Sequence, residues 1–298
     1  MASQAPEHAR SVVVMTLTTR DAAWQVRQAE TFARLHRPGD PLLLPNAWDA
    51  ASAVVIAAAG ARAIATTSAG VAWSLGVPDA ADLGPDRAAA AVERIAAAVA
   101  LPVSADIEAG YGPGPAAVAA TVTAVVQAGA VGVNLEDRSG PASLFEPAEQ
   151  AERLAAARAA ADRLAIPVWI NARTDLFLTG AGSLQDAAER AAVYATAGAD
   201  SLFVPGLTDP AAIAELAAGP LPVAVMAWEG APTVPELAAA GAVRISLGSA
   251  VAQAAYAVAA RAATELLTAG TYHATADGIP YDQLNAALTF PGDGSTAV

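Results

Sequence analysis

The chain has 298 residues, 55% of them hydrophobic and 15% charged, with a formal net charge of −13. A chain this apolar and sparsely charged is globular rather than disordered, and its length suits one large domain or two ordinary ones. The acidic balance sets aside a nucleic-acid partner, which would need clustered cations.

The missing residue types narrow the chemistry further. There is no Cys, and all 16 basic residues are Arg. That removes disulfides, thiolate zinc sites, thiol nucleophiles, Schiff-base lysines and a P-loop. His8, His36 and His273 lie toward the ends of the chain, which speaks against an interior Ser-His-Asp triad or multi-His metal site. Carboxylates, Arg, hydroxyls, backbone amides and an oxygen-bound metal remain.

Taken in order, residues 1–20 read as a mobile tail without a signal-peptide core, and the cytoplasm is the expected compartment. Asp21 to His36 reads as a helix ahead of the main domain, closing its bottom. A phrase then recurs: an Ala-rich run, Gly, and a short apolar run, at residues 59–65, 128–133, 197–204 and 240–247. Gly past a helix end allows the left-handed cap, and the run after it reads as a buried strand. Other strands open on Pro102, Pro167 and Pro222, where one lost donor is tolerated.

With Leu42-Leu43-Leu44 this predicts eight strands, beginning near residues 42, 63, 103, 132, 168, 201, 223 and 244, with helices between them. The uncharged stretch 116–133 has membrane length, but it is rich in weakly apolar Ala and reads as a buried helix running into a strand, so no membrane partner is expected. A long helix from Ser249 to Ala269 follows the last strand. Eight alternating units predict an α/β TIM (β/α)8 barrel over 21–270, with an extension at 271–298 that could pack on a neighbouring subunit.

In such a barrel the active site lies at the C-terminal strand ends. Acids concentrate at the third and fourth: Asp106 and Glu108, which would point the same way along an extended strand, and Glu136 on the adjacent strand. Like charges crowded together need an offset, and a hard divalent cation, Mg²⁺ with retained waters, supplies one. The competing reading pairs these acids with Arg62, Arg138 or Arg173. Arg173 itself suits a substrate carboxylate or phosphonate, or an ion pair with Asp175, Asp106 or Glu136. Thr67-Ser68-Ala69-Gly70 is a small-residue loop whose amides could cradle an oxyanion.

Six phrases stand in order at strand ends one to five: Pro45-Asn46-Ala47-Trp48-Asp49-Ala50, Thr67-Ser68-Ala69-Gly70, Leu75-Gly76-Val77-Pro78-Asp79, Asp106-Ile107-Glu108-Ala109-Gly110-Tyr111-Gly112, Asn134-Leu135-Glu136-Asp137 and Ala172-Arg173-Thr174-Asp175. Together they resemble the phosphoenolpyruvate mutase/isocitrate lyase superfamily over residues 25 to 270. The resemblance implies a Mg²⁺-dependent barrel (Mn²⁺ being the alternative ion), often tetrameric with the last helix exchanged between subunits. It implies chemistry at a C–C or C–P bond beside an α-keto acid, through an enolate. By motif, Asp106, Glu108 and Glu136 would hold the metal, with Asp79 near it. Asn46, Thr67, Ser68 and Ala69 would bind substrate with Arg173 as cationic partner, and Arg138 is the one helper in reach.

The departures are informative. Isocitrate and methylisocitrate lyases carry a Lys-Lys-Cys-Gly-His loop where this chain has Arg138-Ser139-Gly140-Pro141, which sets those two activities aside. The mutase's His near the sixth strand end is replaced by Val204-Pro205-Gly206. What remains resembles the carboxyvinyl-carboxyphosphonate phosphorylmutase-like branch. The expected function is a Mg²⁺-dependent lyase or phosphonomutase acting on a small α-keto or 2-hydroxy acid, with oxaloacetate hydrolysis or decarboxylation as the C–C alternative. A barrel that binds a small anionic acid without turning it over is the reading of another class.

Overall fold

The computed structural model describes residues 21–81 and 83–289. The expected tail at 1–20 and residues 290–298 of the extension lie outside them. Helix α1 (Ala22–Leu35) is opened by Asp21, whose carboxylate accepts from the Trp24 amide at 2.7 Å. It buries Ala29 and Phe32, and the Gln25 side chain donates to the carbonyls of Val126 and Ala130 at 2.7 and 2.9 Å. Those bonds tie α1 to the helix end and turn that lead into the strand 132–136.

β1 (Leu42–Leu44) and β2 (Asn46–Ala47) are one barrel strand interrupted at Pro45, which has no N–H for the ladder. After them come α2 (Ala50–Ala58), β3 (Ile64–Thr66), α3 (Ser68–Ser74), α4 (Pro85–Ala98), β4 (Val103–Asp106), α5 (Gly114–Gln127) and β5 (Gly132–Glu136). A small hairpin, β6 (Arg138–Gly140) and β7 (Ser143–Leu144), leads to α6 (Pro147–Arg163) and β8 (Trp169–Arg173). The chain continues through α7 (Leu176–Thr179), α8 (Leu184–Thr196), β9 (Ser201–Phe203), α9 (Pro210–Ala217), β10 (Val223–Met226), α10 (Val234–Ala239) and β11 (Ala242–Ser246). It ends in α11 (Ala250–Ala269) and α12 (Tyr281–Leu288).

The main sheet is parallel, with the order β1-β11-β10-β9-β8-β5-β4-β3-β2. Since β1 runs into β2, that order closes into an eight-stranded barrel, as the alternation predicts. Asn46 bridges the break: its side chain donates to the Thr66 carbonyl at 3.0 Å and accepts from the Leu247 amide at 3.1 Å. β3, β5, β9 and β11 are buried at every residue, and they read as mostly apolar or small-residue runs, broken by Asn134 and Glu136 in β5 and by Arg244 in β11.

The stretch 116–133 resolves into α5 and the start of β5, and among the described residues no helix is long and apolar enough to cross a membrane. Helix α11 meets its own chain near Trp73, whose ring centroid lies 6.3 Å from that of Tyr256, and is otherwise largely exposed. Of the 20 residues in α11 only Ala252 is buried, and Leu267 is 83% exposed. α12 meets α2 of its own chain, with Val55, Ala58, Leu284 and Ala287 lining a shared cleft.

Candidate active site

β4, β5 and β8 are neighbours, so their C-terminal ends stand side by side, with Glu136 opposite Arg173. Arg173 gathers the acids. One guanidinium nitrogen lies 3.0 Å from Glu136 and 3.8 Å from Asp106. The other edge grips Asp175 through two bonds, Nε–Oδ1 at 2.6 Å and Nη2–Oδ2 at 3.0 Å. Of the two sequence readings of Arg173, the ion-paired one is the arrangement seen here, with all three acids at once.

Asp175 is held from behind. Its amide donates to Asp137 Oδ1 at 3.0 Å, and Asp137 Oδ2 accepts from Arg190 at 3.0 Å and from the Tyr194 hydroxyl at 2.9 Å. Arg138 reaches Asp175 at 3.8 Å while donating to the carbonyls of Gly140 and Pro141 at 3.2 and 2.7 Å, so it braces its own hairpin. Arg62 pairs with Asp40 and takes no part.

Asp106 ends β4. Its amide donates to Thr66 Oγ1 at 2.8 Å, and its Oδ2 accepts from the Ser68 hydroxyl and amide at 3.0 and 3.4 Å. Its Oδ1 is buried without a partner. Thr67 caps α3, accepting from the Gly70 amide at 3.5 Å, and Ala69 is buried beside it. Gly70 permits this close approach, since a Cβ there would stand 2.8 Å from Trp48 Cβ.

The strand does not continue to Glu108. β4 stops at Asp106, and Glu108 takes a φ of 49°, so the extended two-residue spacing expected for these acids is replaced by a turn. Glu108 still shares the site, because it feels the charges of Asp106, Asp79 and Arg173 and hydrogen-bonds Tyr111. Arg153 of α6 pins this loop by donating to the Ala109 carbonyl while lying 4.3 Å over the Phe145 ring. Burial foremost, then Asp106, pushes Glu108 up to about 7, with Asp79 adding and the Tyr111 bond and Arg173 opposing. Glu136 is also raised, by burial first, against the pull of Arg173. Asp79 is exposed on the loop after α3.

Among the described residues no three acidic or His side chains form a ready ligand cage for a metal. Arg173 already engages Glu136 and Asp106. The donor chemistry nonetheless fits a hard cation: the groups are all oxygens, and the buried Asp106 Oδ1 lacks a partner. Mg²⁺ typically keeps several waters and uses one or two carboxylates, so a preformed cage is not required.

Tyr111, Arg153 and the Asp137–Arg190–Tyr194 cluster carry the site without having been assigned to it from sequence. Tyr111 and Asp137 stand inside the motif phrases, which was their only signal. Arg153 and Arg190 lie on helices far from any strand end, and only the fold brings them in.

Residues 32–267 match the phosphoenolpyruvate phosphomutase family. The chain belongs to that family. Among its relatives, an uncharacterized protein of Mycobacterium tuberculosis is 38% identical over 269 residues, 87% of this chain and 96% of that protein. A solved structure from Burkholderia cenocepacia J2315, described provisionally as a lyase/mutase, is 40% identical with a TM-score of 0.84, covering 91% of this chain and 98% of that one. Oxaloacetate acetylhydrolase, solved with its product oxalate, is 28% identical with a TM-score of 0.80, over 88% and 93% of the two chains.

Proposed function

We propose that this chain is a Mg²⁺-dependent enzyme that makes or breaks a bond beside the carbonyl of a small α-keto or 2-hydroxy acid, through an enolate. The observation that carries this reading is the convergence of Asp106, Glu108, Glu136 and Asp175 around Arg173 at three adjacent strand ends, with Asp106 Oδ1 left unpartnered. Asp106, Glu108 and Glu136 would hold Mg²⁺ or Mn²⁺, in part through water, with Asp79 nearby. Bound there, the ion supplies stabilisation of a developing enolate oxygen. Ser68 and Ala69, capped by Thr67, present the small-residue turn for the substrate's carboxylate, beside Arg173. Asn46 supports this wall by closing the barrel next to Thr66.

A C–C substrate is favoured over a phosphonate. Both nearby cations, Arg173 and Arg138, already answer to Asp175, which leaves little positive charge for a dianion. The likenesses divide, with oxaloacetate acetylhydrolase 28% identical and a Burkholderia cenocepacia J2315 structure described provisionally as a phosphonomutase 43% identical, so the preference rests on charge alone. Assembly as a cytoplasmic homotetramer through α11 completes the proposal.

A thermal-shift titration tests it, with and without Mg²⁺, against oxalate, pyruvate, oxaloacetate and phosphonopyruvate. Oxalate mimics the enolate of pyruvate, so a shift that needs both oxalate and Mg²⁺, and disappears in Asp106→Asn, is the expected result. No shift with any ligand would leave a barrel that has lost its chemistry or one whose substrate is too large for this panel, whereas shifts that do not need Mg²⁺ would favour the non-catalytic binder of an anionic acid.

A further inference from the structure

Barrels of this class usually fill their bore with layers of branched aliphatic side chains. The layer beneath the acids here is polar. Asn134 lies two residues before Glu136 on β5, on the same face. Its Oδ1 accepts from Asn171 of β8 at 2.9 Å and from Arg244 Nη2 of β11 at 3.1 Å. Ser201 of β9 donates to Asn171 at 2.6 Å and accepts from the Trp169 indole at 2.8 Å.

Arg244 is the unusual member. β11 and β5 stand opposite each other in the closed sheet order, so its side chain crosses the bore to reach Asn134. It is only 2% exposed, its Nη1 has no hydrogen-bond partner, and among the described residues no carboxylate lies within ion-pair distance of it. A buried guanidinium with one hydrogen bond is costly to the fold. Burial pushes it down to about 10, which still leaves it charged at neutral pH, and Asp106 is the acid whose field opposes that shift.

The charge balance above it explains why it is tolerated. Asp106, Glu136 and Asp175 gather on the guanidinium of Arg173, with Glu108 in the same field and Arg138 3.8 Å from Asp175 as the second cation. Carboxylates thus outnumber guanidinium groups at the strand ends, and below them lies the buried charge of Arg244, bonded to Asn134, which stands opposite Asp106 in the β4–β5 register. We propose that Arg244 is a positioning residue: a buried counter-charge that spans the barrel and steadies Asp106 from beneath, through its field rather than through contact. The proposal concerns the acids in the metal-free chain and stands whether or not they bind Mg²⁺.

A double-mutant cycle in chelator tests it. Arg244→Gln removes the charge and keeps a donor for Asn134; it is made in the natural chain and in Asp106→Asn, and Arg244→Lys keeps the charge. The coupling decides, because deleting a buried charge also removes its own desolvation cost. The expected result is that Arg244→Gln costs about 5 °C more in melting temperature when Asp106 is present than when it is Asn. Arg244→Lys should show little of that difference. Should Arg244→Gln fail to fold alone, recovery of folding in the Asp106→Asn background supports the proposal. Equal cost in both backgrounds, or failure to fold in both, overturns it and leaves Arg244 as a hydrogen-bonding strut. None of these outcomes depends on the Mg²⁺ titration, so the two can fail separately.

Discussion

The guanidinium of Arg173 lies 3.0 Å from the carboxylate of Glu136, directly across the β5–β8 ladder. Each residue is the last of its strand, and each makes the burial of the other tolerable. The same guanidinium holds Asp106 and Asp175, so a single cation keeps three acids in one strand-end layer.

Removing that cation should be severe. Arg173→Met leaves Asp106 and Glu136 without their ion-pair partner and Asp175 with only Arg138 at 3.8 Å, and breaking a buried pair typically costs about 3–5 kcal/mol. Urea melts of the metal-free variant should show a loss of that size. Mg²⁺ should recover part of it, since a divalent ion answers the same repulsion. A variant as stable as the natural chain would mean that the acids take up protons or separate freely.

The pH dependence of the metal-free protein follows from Glu108. Its folded value is raised from 4.5 to about 7, so the folded state holds the proton more tightly than the unfolded one. Its contribution to stability is therefore full below 4.5 and is lost as pH rises through about 7. Urea midpoints measured across this window should fall more steeply in the natural chain than in Glu108→Gln. Saturating Mg²⁺ should flatten the difference. Parallel profiles for the two proteins would remove Glu108 from the buried acid cluster.

His36 predicts an opposite slope at lower pH. It stacks on Trp169 with ring centroids 4.1 Å apart, and its Nδ1 lies 2.9 Å from the Phe32 carbonyl. Burial foremost, with the charge of Arg244 adding, lowers it from 6.5 to about 3. A lowered value means stability that is complete above 6.5 and is lost as pH falls toward 3. Trp fluorescence during acid titration should report unfolding at a lower pH in His36→Gln than in the natural chain, once both are matched for stability at pH 8. Coincident curves would show that other groups govern acid unfolding.

Much of the fold is legible from local chemistry. A Gly that ends a helix, followed by β-branched residues, or a Pro opening such a run, places strand starts within two residues of those observed, because these signals act on neighbouring residues only. The break at Pro45 follows from the missing N–H. The polar bore does not announce itself in the same way. Asn134, Asn171, Ser201 and Arg244 sit in four separate strands, and each alone resembles a minor flaw in an apolar run. The partners of Arg173 were narrowed to three acids by residue type, but that it holds all three depends on register. The turn at Glu108 was hidden because a positive φ at a non-Gly residue has no local sequence signal.

Close packing at the barrel floor gives a prediction independent of the site. Gly132 opens β5 against α1, and a Cβ there would stand 2.7 Å from the Phe32 ring. Gly132→Ala therefore forces Phe32 aside, at about 1–3 kcal/mol for overpacking. Pairing it with Phe32→Leu should recover part of the loss in thermal melts. No recovery would indicate that the strand itself, and not the ring, requires glycine.

The exposed last helix carries the assembly prediction. Tyr256, Val258, Leu266 and Leu267 are all exposed on α11, and burying one large aliphatic side chain is worth about 1.5–3 kcal/mol. A helix with this much apolar surface and one buried residue is a natural seam for a second copy. Light scattering at micromolar concentration should give the mass of a tetramer for the natural chain, and a smaller mass for Leu267→Glu with the barrel still folded by circular dichroism. A monomer in both cases would sink the tetramer and leave α11 to some other partner.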